Sequence, residues 1–349
     1  MFVNSLLAAA FFTLAVNAGP ALSVEDAQLA TQALSFLIQA PGECLFQYTD
    51  LPANAPSHNM AALWLRAIFH DSGTFNASDL TGGLDASLVT NPESGTTDNI
   101  GIPESAATRF IPSKSPISKA DMIALGGIVT VAACGGPQVA FRTGRDDAGV
   151  SNNAKLLPSD AFAPVGTIKA GFLRMGLTAL DMLVLTTGSH SMGGAHAAIS
   201  PNVTKEKFEP FDRTPGVFDN DIFKRVLDGK CVVPIDCAFA KDPELLPYIQ
   251  QYAKDENAFF TQYAISFEKM LNLSPSSLSD PVAIMIKRHS NLVEEGTWPP
   301  ASAASTTTTV SAVASITTAG SAAKSSSAAA DIFLLSSVIY ALATTLLLL

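Results

Sequence analysis

The stretch Trp64 to Asp71, WLRAIFHD, decides the fold, because it predicts one helix with its chemically active side chains on a single side. Arg66 and His70 are four residues apart, so a helix places them on one face, with Phe69 on an adjacent face. A base and a fixed cation that project together can move a proton and stabilise a developing negative charge. An ordinary half-exposed helix face is the alternative, and this stretch alone favours that alternative.

A second histidine, His190, lies in the glycine-flanked segment from Gly188 to Gly194, GSHSMGG. Glycines allow a large flat group to approach the backbone closely. The alternatives are a helix-capping histidine and a zinc site shared with His196. The spacing of His190 and His196 does not match a helical HxxxH pair, and no Cys lies nearby in the sequence.

Three motifs in order make the pattern specific: RxxFHD from Arg66, GGxDxS from Gly82, and GxHSxG from Gly188. Together they resemble the plant, fungal and bacterial haem peroxidase superfamily over roughly residues 24–275. Within it, the chain is most similar to the secreted fungal class II peroxidases. The resemblance implies an all-α, two-lobed fold with haem b between a distal and a proximal lobe.

On the distal side, the resemblance implies that Arg66 and His70 are the catalytic pair and that Phe69 packs on the haem. His70 would take a proton from one peroxide oxygen and return it to the other, while Arg66 stabilises the developing charge. Asn99 matches the asparagine that hydrogen-bonds the catalytic histidine, although an asparagine two residues before Gly101 is also typical of a turn.

On the proximal side, the resemblance implies that His190 binds the haem iron and that Asp236 accepts its ring proton. Phe211 matches the proximal phenylalanine of secreted peroxidases. The tryptophan of the intracellular class is not found at that position. We therefore expect the oxidised equivalent on the porphyrin rather than on an indole.

The resemblance also implies two calcium ions, because hard cations prefer several oxygen ligands. The distal set comprises Asp71, Gly83 (carbonyl), Asp85 and Ser87, and the proximal set comprises Ser191, Asp212, Thr214, Val217 (carbonyl) and Asp219. Any single aspartate could instead be a loop or cap residue. Asp121 and Arg145 match a buried structural ion pair of the family.

Positions that define the specialised ligninolytic enzymes differ in this chain. Leu185 stands where lignin peroxidases carry a surface tryptophan. At the three positions of the manganese site, Asn59 and Leu63 stand in place of two glutamates, and His196 stands in place of an aspartate. The expected partners are therefore hydrogen peroxide and small phenolic or aromatic donors that react at the haem edge near Pro158. Peroxide removal under oxidative stress is the expected role. The alternatives are a non-enzymatic haem-binding surface protein on the same scaffold and a metal-dependent hydrolase.

Both ends of the chain differ in composition from its centre. Residues 1–18 are apolar and end in small residues, which predicts a secretory signal peptide, with a membrane anchor as the alternative. The peroxidase-like domain is expected over residues 19–300, followed by a disordered Ser/Thr/Ala-rich stalk over 301–331 and an apolar tail over 332–349. Small residues, a spacer and this tail predict a GPI-attachment signal, with a transmembrane helix as the alternative.

The charge and cysteine content agree with a secreted protein. A net charge of −10 disfavours nucleic acid and anionic membrane surfaces as partners, so a membrane is expected only through the GPI anchor. We expect a monomer. The four cysteines allow three pairings, of which we expect Cys44–Cys134 with Cys231–Cys237. Sequons at Asn76, Asn202 and Asn272 predict glycosylation.

Overall fold

The structure is a computed structural model, and it describes residues 22–39, 44, 47–48, 58–90, 99, 102, 117–150 and 152–288. All of them lie in the first of two units of the chain, Met1–Ser302. The predicted signal peptide, stalk and C-terminal tail lie outside the described residues. Among those residues, no helix combines the length and the apolar character needed to cross a bilayer.

Helices dominate the described chain, which confirms the all-α prediction. They are α1 (Val24–Gln39), α2 (Met60–Ser72), α3 (Ser87–Thr90), α4 (Lys119–Ala133), α5 (Val165–Arg174), α6 (Ala179–Thr186), α7 (Asp221–Leu227), α8 (Pro234–Phe239), α9 (Leu246–Lys254) and α10 (Glu256–Leu271). The described strands form two short antiparallel pairs, β1 (Gln47–Tyr48) with β2 (His58–Asn59), and β3 (Gly194–Ala195) with β4 (Glu209–Pro210).

Local sequence signals fix several helix starts. The Ser118 side chain accepts a hydrogen bond from the Asp121 backbone N–H at the start of α4. Thr178 and Asp181 form a full capping box at the start of α6, in which each side chain bonds the backbone of the other residue. Both starts were predicted from sequence, whereas α5 was not.

Helix α2 packs against α4 at two glycines. A Cβ atom added to Gly126 would lie 2.3 Å from Cε3 of Trp64, and one added to Gly127 would lie 1.9 Å from Cδ1 of Ile68. Larger side chains at these positions would push α2 away from α4. The apolar side of α2 is thereby buried on α4, which leaves its other side for polar chemistry.

Helices α6 and α10 form a second contact, close to His190. The buried Asp181 carboxylate accepts hydrogen bonds from Ser266 Oγ, at 2.7 Å, and from Lys269 Nζ, at 2.9 Å. The Tyr263 hydroxyl lies 2.9 Å from Ser189 Oγ, just before His190. These polar contacts fix the segment Ser189–Ser191, a short 3-10 helix, on α10.

Both expected disulfides are present. Cys44 is bonded to Cys134 at the end of α4, and Cys231 is bonded to Cys237 across the start of α8. The described residues contain no free cysteine. The first bond joins positions 90 residues apart, and the second joins positions 6 residues apart.

Gly126→Ala tests the contact between α2 and α4. We expect it to lower the free energy of unfolding by about 1–3 kcal/mol, because the new methyl group overlaps the Trp64 ring in a packed core. Denaturant unfolding followed by circular dichroism measures the change. Gly166→Ala in α5 is the matched control, since a Cβ there meets no atom within 4 Å, and it should be neutral or stabilising. Equal losses in the two variants would contradict the packing argument.

Candidate active site

The distal site is built on α2 around His70. Its Nδ1 lies 2.7 Å from the side-chain oxygen of Asn99. Because that amide oxygen can only accept, Nδ1 carries the proton and Nε2 keeps its lone pair. Burial and, to a smaller extent, the nearby Arg66 guanidinium lower the pKa of His70 to about 3, although the Asn99 hydrogen bond acts in the opposite direction. The imidazole is therefore neutral at ordinary pH and can act as a base.

The other two predicted distal residues lie beside His70. Arg66 is half-buried on the same helix, and its charge lowers the pKa of His70. Phe69 meets the His70 ring edge-on at 5.8 Å and stacks on Phe172 of α5 at 5.9 Å between ring centroids. A base, a cation and an aromatic wall are thus brought together, as the spacing in α2 predicts.

The proximal histidine has a different partner. His190 Nδ1 lies 2.8 Å from Oδ2 of Asp236, which is 1% exposed. Thr187 donates a hydrogen bond to the other carboxylate oxygen at 2.7 Å. The Phe211 ring lies 4.7 Å from the His190 ring, tilted by 38°. With Nδ1 engaged and the side chain 23% exposed, Nε2 is the nitrogen of His190 that can bind a metal.

The glycines around His190 make close contacts with other parts of the protein, and their expected role in admitting a flat group stays a prediction. A Cβ added to Gly188 would lie 2.1 Å from the Val184 carbonyl oxygen. Gly193 has a φ of +82°, and a Cβ there would lie 2.6 Å from Cβ of Ala62 in α2. The close approach at Gly193 joins the His190 segment to the helix that carries His70.

The predicted proximal calcium ligands form an oxygen cluster that contains buried atoms without hydrogen-bond partners. Its members are Ser191, Asp212, Thr214, Val217 and Asp219. Among the described residues, Ser191 Oγ and Asp212 Oδ2 are buried and accept or donate no hydrogen bond. Thr214 donates to Asp212 Oδ1 through its N–H, at 2.9 Å, and to Asp219 Oδ2 through its hydroxyl, at 2.8 Å. Val217 is buried in the same loop, and its N–H bonds the Thr214 carbonyl.

Burial and neighbouring carboxylates raise the pKa values of both aspartates in this cluster. Burial, assisted by the Asp219 charge, raises the pKa of Asp212 well above its usual value. Burial also raises the pKa of Asp219 to about 6. A bound cation would reverse both effects, because it stabilises the ionised carboxylates. The cluster fits the hard cation predicted for it. It has only two carboxylates, and its other predicted ligands are hydroxyl and carbonyl oxygens, which agrees with the finding that no group of three or more His, Cys, Asp or Glu side chains among the described residues could hold a metal ion.

The predicted distal calcium set is also brought together, but hydrogen bonds occupy it. Asp71 accepts backbone N–H bonds from Asp85 and Ala86, at 3.0 and 2.7 Å. The Asn152 amide nitrogen lies 2.9 Å from Ser87 Oγ and equally close to the Asp85 carboxylate. Gly83 has a φ of +107°, at the turn before Asp85. None of the side-chain oxygens of this set is among the buried, unpartnered side-chain atoms of the described residues.

The expected structural ion pair between Asp121 and Arg145 is present. Arg145 Nη1 lies 2.6 Å from Asp121 Oδ1, and both side chains are buried. The same guanidinium donates to the Leu271 carbonyl at 2.8 Å. It therefore joins the start of α4 to the end of α10, and it takes no part in the chemistry of either histidine.

A family model described as "Peroxidase" matches residues 49–255, which include both histidines and their partners. The chain belongs to the peroxidase family. It is 35% identical over 232 residues to L-ascorbate peroxidase 5, peroxisomal, of Arabidopsis thaliana, covering 64% of this chain and 80% of that protein. It is 34% identical over 229 residues to L-ascorbate peroxidase 1, cytosolic, of Oryza sativa subsp. indica, covering 63% and 87%.

A WSC domain-containing protein of Arthroderma benhamiae is 32% identical over 249 residues, covering 65% of this peroxidase and 34% of that protein. These likenesses confirm the superfamily and a haem peroxidase activity. The closer likeness to class II enzymes stays a prediction.

Three residues of the peroxidase were missed by sequence reasoning: Thr187, Asn152 and Arg174. Each acts through a contact with a residue distant in the chain, and none carries a local motif. The Arg174 guanidinium bonds the carbonyl oxygens of Gly73, Thr74 and Phe75, just after α2, and that of Leu156. It holds the end of the helix that carries His70, and a cation there suits the negative end of the helix dipole.

Arg174→Met tests this clamp on the peroxidase. We expect the free energy of unfolding to fall by about 1–3 kcal/mol, because part-buried carbonyl groups lose their donors. Denaturant unfolding of the purified protein gives the value. Arg288→Met, at an exposed position, is the control and should change it by less than about 0.5 kcal/mol. A loss at Arg174 no larger than the control would rule out the clamp.

Proposed function

We propose that this peroxidase holds haem b with His190 as the iron ligand and His70 and Arg66 on the open side. Bound haem iron would supply the centre at which the peroxide O–O bond breaks and from which electrons are drawn. The observation that carries the proposal is the difference between the two histidine partners. An amide oxygen holds Nδ1 of His70 at 2.7 Å, and a carboxylate holds Nδ1 of His190 at 2.8 Å.

On the distal side, His70 acts as base and then as acid. Its Nε2 keeps a lone pair because Asn99 fixes the proton on Nδ1, so it can accept a proton from hydrogen peroxide. The same proton then goes to the departing oxygen, which leaves as water. Arg66 stabilises the negative charge that develops during cleavage. Phe69, stacked on Phe172, fixes the aromatic wall beside this pair.

On the proximal side, Asp236 makes His190 a stronger donor. The carboxylate accepts a hydrogen bond from Nδ1–H, which raises the electron density at Nε2 and favours the oxidised metal. Thr187 fixes the other carboxylate oxygen, so the pair keeps its geometry. Phe211 packs against the imidazole on this side.

Small phenolic or aromatic molecules are the proposed donors, with one electron taken at each of two steps. Leu185 is a buried aliphatic residue, so that position offers no surface radical site. His196 is buried and donates a hydrogen bond from Nδ1–H to the Lys207 carbonyl, so that position offers no carboxylate for manganese(II). Ascorbate is the second candidate, because relatives at 34–35% identity are named ascorbate peroxidases. Steady-state rates with a phenol, ascorbate, a non-phenolic aromatic and manganese(II) separate these choices.

A structural calcium ion is proposed for the proximal cluster of Ser191, Asp212, Thr214, Val217 and Asp219. Buried, unpartnered oxygens on Ser191 and Asp212 support it. Because Ser191 follows His190 directly, the ion would hold the proximal ligand in place. The second calcium ion expected from the sequence, at Asp71, Gly83, Asp85 and Ser87, has no comparable support.

The biological setting is also a proposal: a secreted, GPI-anchored monomer that removes peroxide. Two disulfides suit an oxidising compartment. Release of the protein from cells by phosphatidylinositol-specific phospholipase C would support the anchor, and retention would count against it. The family match favours an enzyme over a haem-binding protein without activity.

His70→Ala tests the catalytic assignment. We expect haem to be retained, because His190 is unchanged, while the rate of peroxide cleavage falls about 10²–10⁴-fold through loss of the base. Stopped-flow absorbance at the Soret band measures both quantities. Since the pKa of His70 is about 3, its base form persists at lower pH, and the parent rate should fall only as the pH approaches that value. A parent-like rate in His70→Ala would refute the mechanism.

Prolonged chelation tests the proximal ion. We expect EGTA to weaken haem retention, because burial and the mutual repulsion of Asp212 and Asp219 are then no longer offset by a cation in the set that includes Ser191, the neighbour of His190. The Soret band and the metal content are followed together, and added calcium should restore both. An unchanged spectrum after the metal has left would exclude a link between the ion and the haem ligand.

A further inference from the structure

The second disulfide encloses the partner of His190. Cys231 and Cys237 are joined across the start of α8, and Asp236 lies inside the ring that this bond closes, immediately before Cys237. Adjacent Cα atoms are about 3.8 Å apart, so whatever fixes Cys237 also limits the movement of the Asp236 backbone. The disulfide and the carboxylate therefore belong to one small covalent unit.

Helix α8 does little by itself to hold this unit. It has only six residues, Pro234–Phe239, and a helix of that length is not stable in water without external contacts. Its N-cap residue, Val233, makes no side-chain capping hydrogen bond. Asp236 donates its backbone N–H to the Val233 carbonyl at 3.1 Å, which closes a single turn. The orientation of α8 must therefore come from contacts outside the helix.

Two contacts on different sides of α8 set that orientation. Ile235 and Phe239 are four residues apart on one face, and both are buried in the core. Cys237 follows Ile235 by two residues, which turns it roughly 200° around the axis, away from this pair. Asp236 lies between them. A rotation of α8 that moved its carboxylate would have to displace either the apolar pair or the disulfide.

The carboxylate requires a fixed position, because it serves two partners at once. Asp236 Oδ2 lies 2.8 Å from His190 Nδ1, and Oδ1 accepts a hydrogen bond from the Thr187 hydroxyl at 2.7 Å. Supporting contacts have to hold such a geometry within about 0.5 Å. A larger shift would lengthen the bond to Nδ1 and weaken the effect of the carboxylate on the metal-binding nitrogen.

We propose that the Cys231–Cys237 disulfide is a positioning element, which keeps Asp236 hydrogen-bonded to His190 and so sets the electron donation of His190 to haem iron. The inference rests on the proposed haem-binding role of His190. It assigns to two cysteines a function beyond the stability of the fold. Opening the bond should leave haem in place but raise the Fe(III)/Fe(II) midpoint potential, because a weaker donor favours the oxidised iron less.

Selective reduction of the full-length, haem-loaded protein tests this role. Cys231 and Cys237 are half-buried, whereas Cys44 and Cys134 are at most 1% exposed, so brief treatment with tris(2-carboxyethyl)phosphine should open only the first of these bonds. Peptide mass spectrometry after thiol alkylation of an aliquot checks which cysteines have reacted. The paired substitution Cys231→Ser and Cys237→Ser gives the same open state without a reductant.

Two readouts report the strength of the His190 ligand. Spectroelectrochemical titration gives the midpoint potential, and resonance Raman spectroscopy of the reduced protein gives the iron–imidazole stretching frequency. We expect the open form to keep its Soret band and to show a lower stretching frequency. Its equilibrium constant for reduction should rise about tenfold, which is ~59 mV for one electron. Reoxidation of the thiols should restore the parent values, and an unchanged potential and frequency would overturn the proposal.

Asp236→Asn separates this role from a general loosening of the protein. The carboxylate is already absent in this variant, so opening the disulfide should change its potential little, and the two effects should not add. Equal shifts in the parent and in Asp236→Asn would mean that the disulfide acts elsewhere, and the proposal would fall. A parent protein with its disulfide intact but no iron–imidazole band would instead refute the proposed function, and this inference with it.

Discussion

The contact between α2 and α4 sets the position of the distal residues of this peroxidase. Gly126 and Gly127 leave room for Trp64 and Ile68, so α2 lies close against a helix that is buried along most of its length. The opposite side of α2 then carries Arg66 and His70. Its last turn carries Asp71, whose carboxylate accepts the backbone N–H groups of Asp85 and Ala86. One helix thus links core packing, the proposed catalytic base and the turn beyond it, and a shift of α2 would disturb all three.

Two histidines with the same unperturbed chemistry acquire different roles from their neighbours. His70 is buried, bonded to a neutral amide and close to a guanidinium, so its protonated form is strongly disfavoured. His190 is bonded to a buried carboxylate that Thr187 also holds. The first arrangement suits the proposed base, which must release its proton readily, and the second suits the proposed metal ligand, whose free nitrogen the carboxylate makes more electron-donating. The difference comes from the partner residue rather than from the histidine itself.

Much of this arrangement could be predicted from sequence, because it is encoded locally or in motif order. The capping signals at Ser118 and Thr178 correctly marked helix starts, and the spacing of Arg66 and His70 placed both on α2. Asn99 and Asp236 lie against their histidines as the resemblance to the family implied. These features depend on neighbours within one helix or on a pattern shared by a family.

The contacts that could not be predicted join distant parts of the chain without a periodic pattern. Arg174 reaches the turn after α2 across about a hundred residues, and Asn152 reaches Asp85 across 67. Nothing around either residue distinguishes it from an ordinary polar side chain. The close approach of Gly193 to Ala62 of α2 likewise arises only in the tertiary fold.

The Cys44–Cys134 bond has a consequence for how the protein can be produced. The covalent loop that it closes contains all of α2, and with it the whole distal site. Loop-closure entropy for about 90 residues corresponds to roughly 4–5 kcal/mol, a large share of the stability of a typical domain. In a reducing cytoplasm this disulfide would not form, and the protein would lose its contribution to stability. Recombinant expression therefore calls for an oxidising compartment or for refolding in a thiol–disulfide buffer, with haem supplied after the bond has formed.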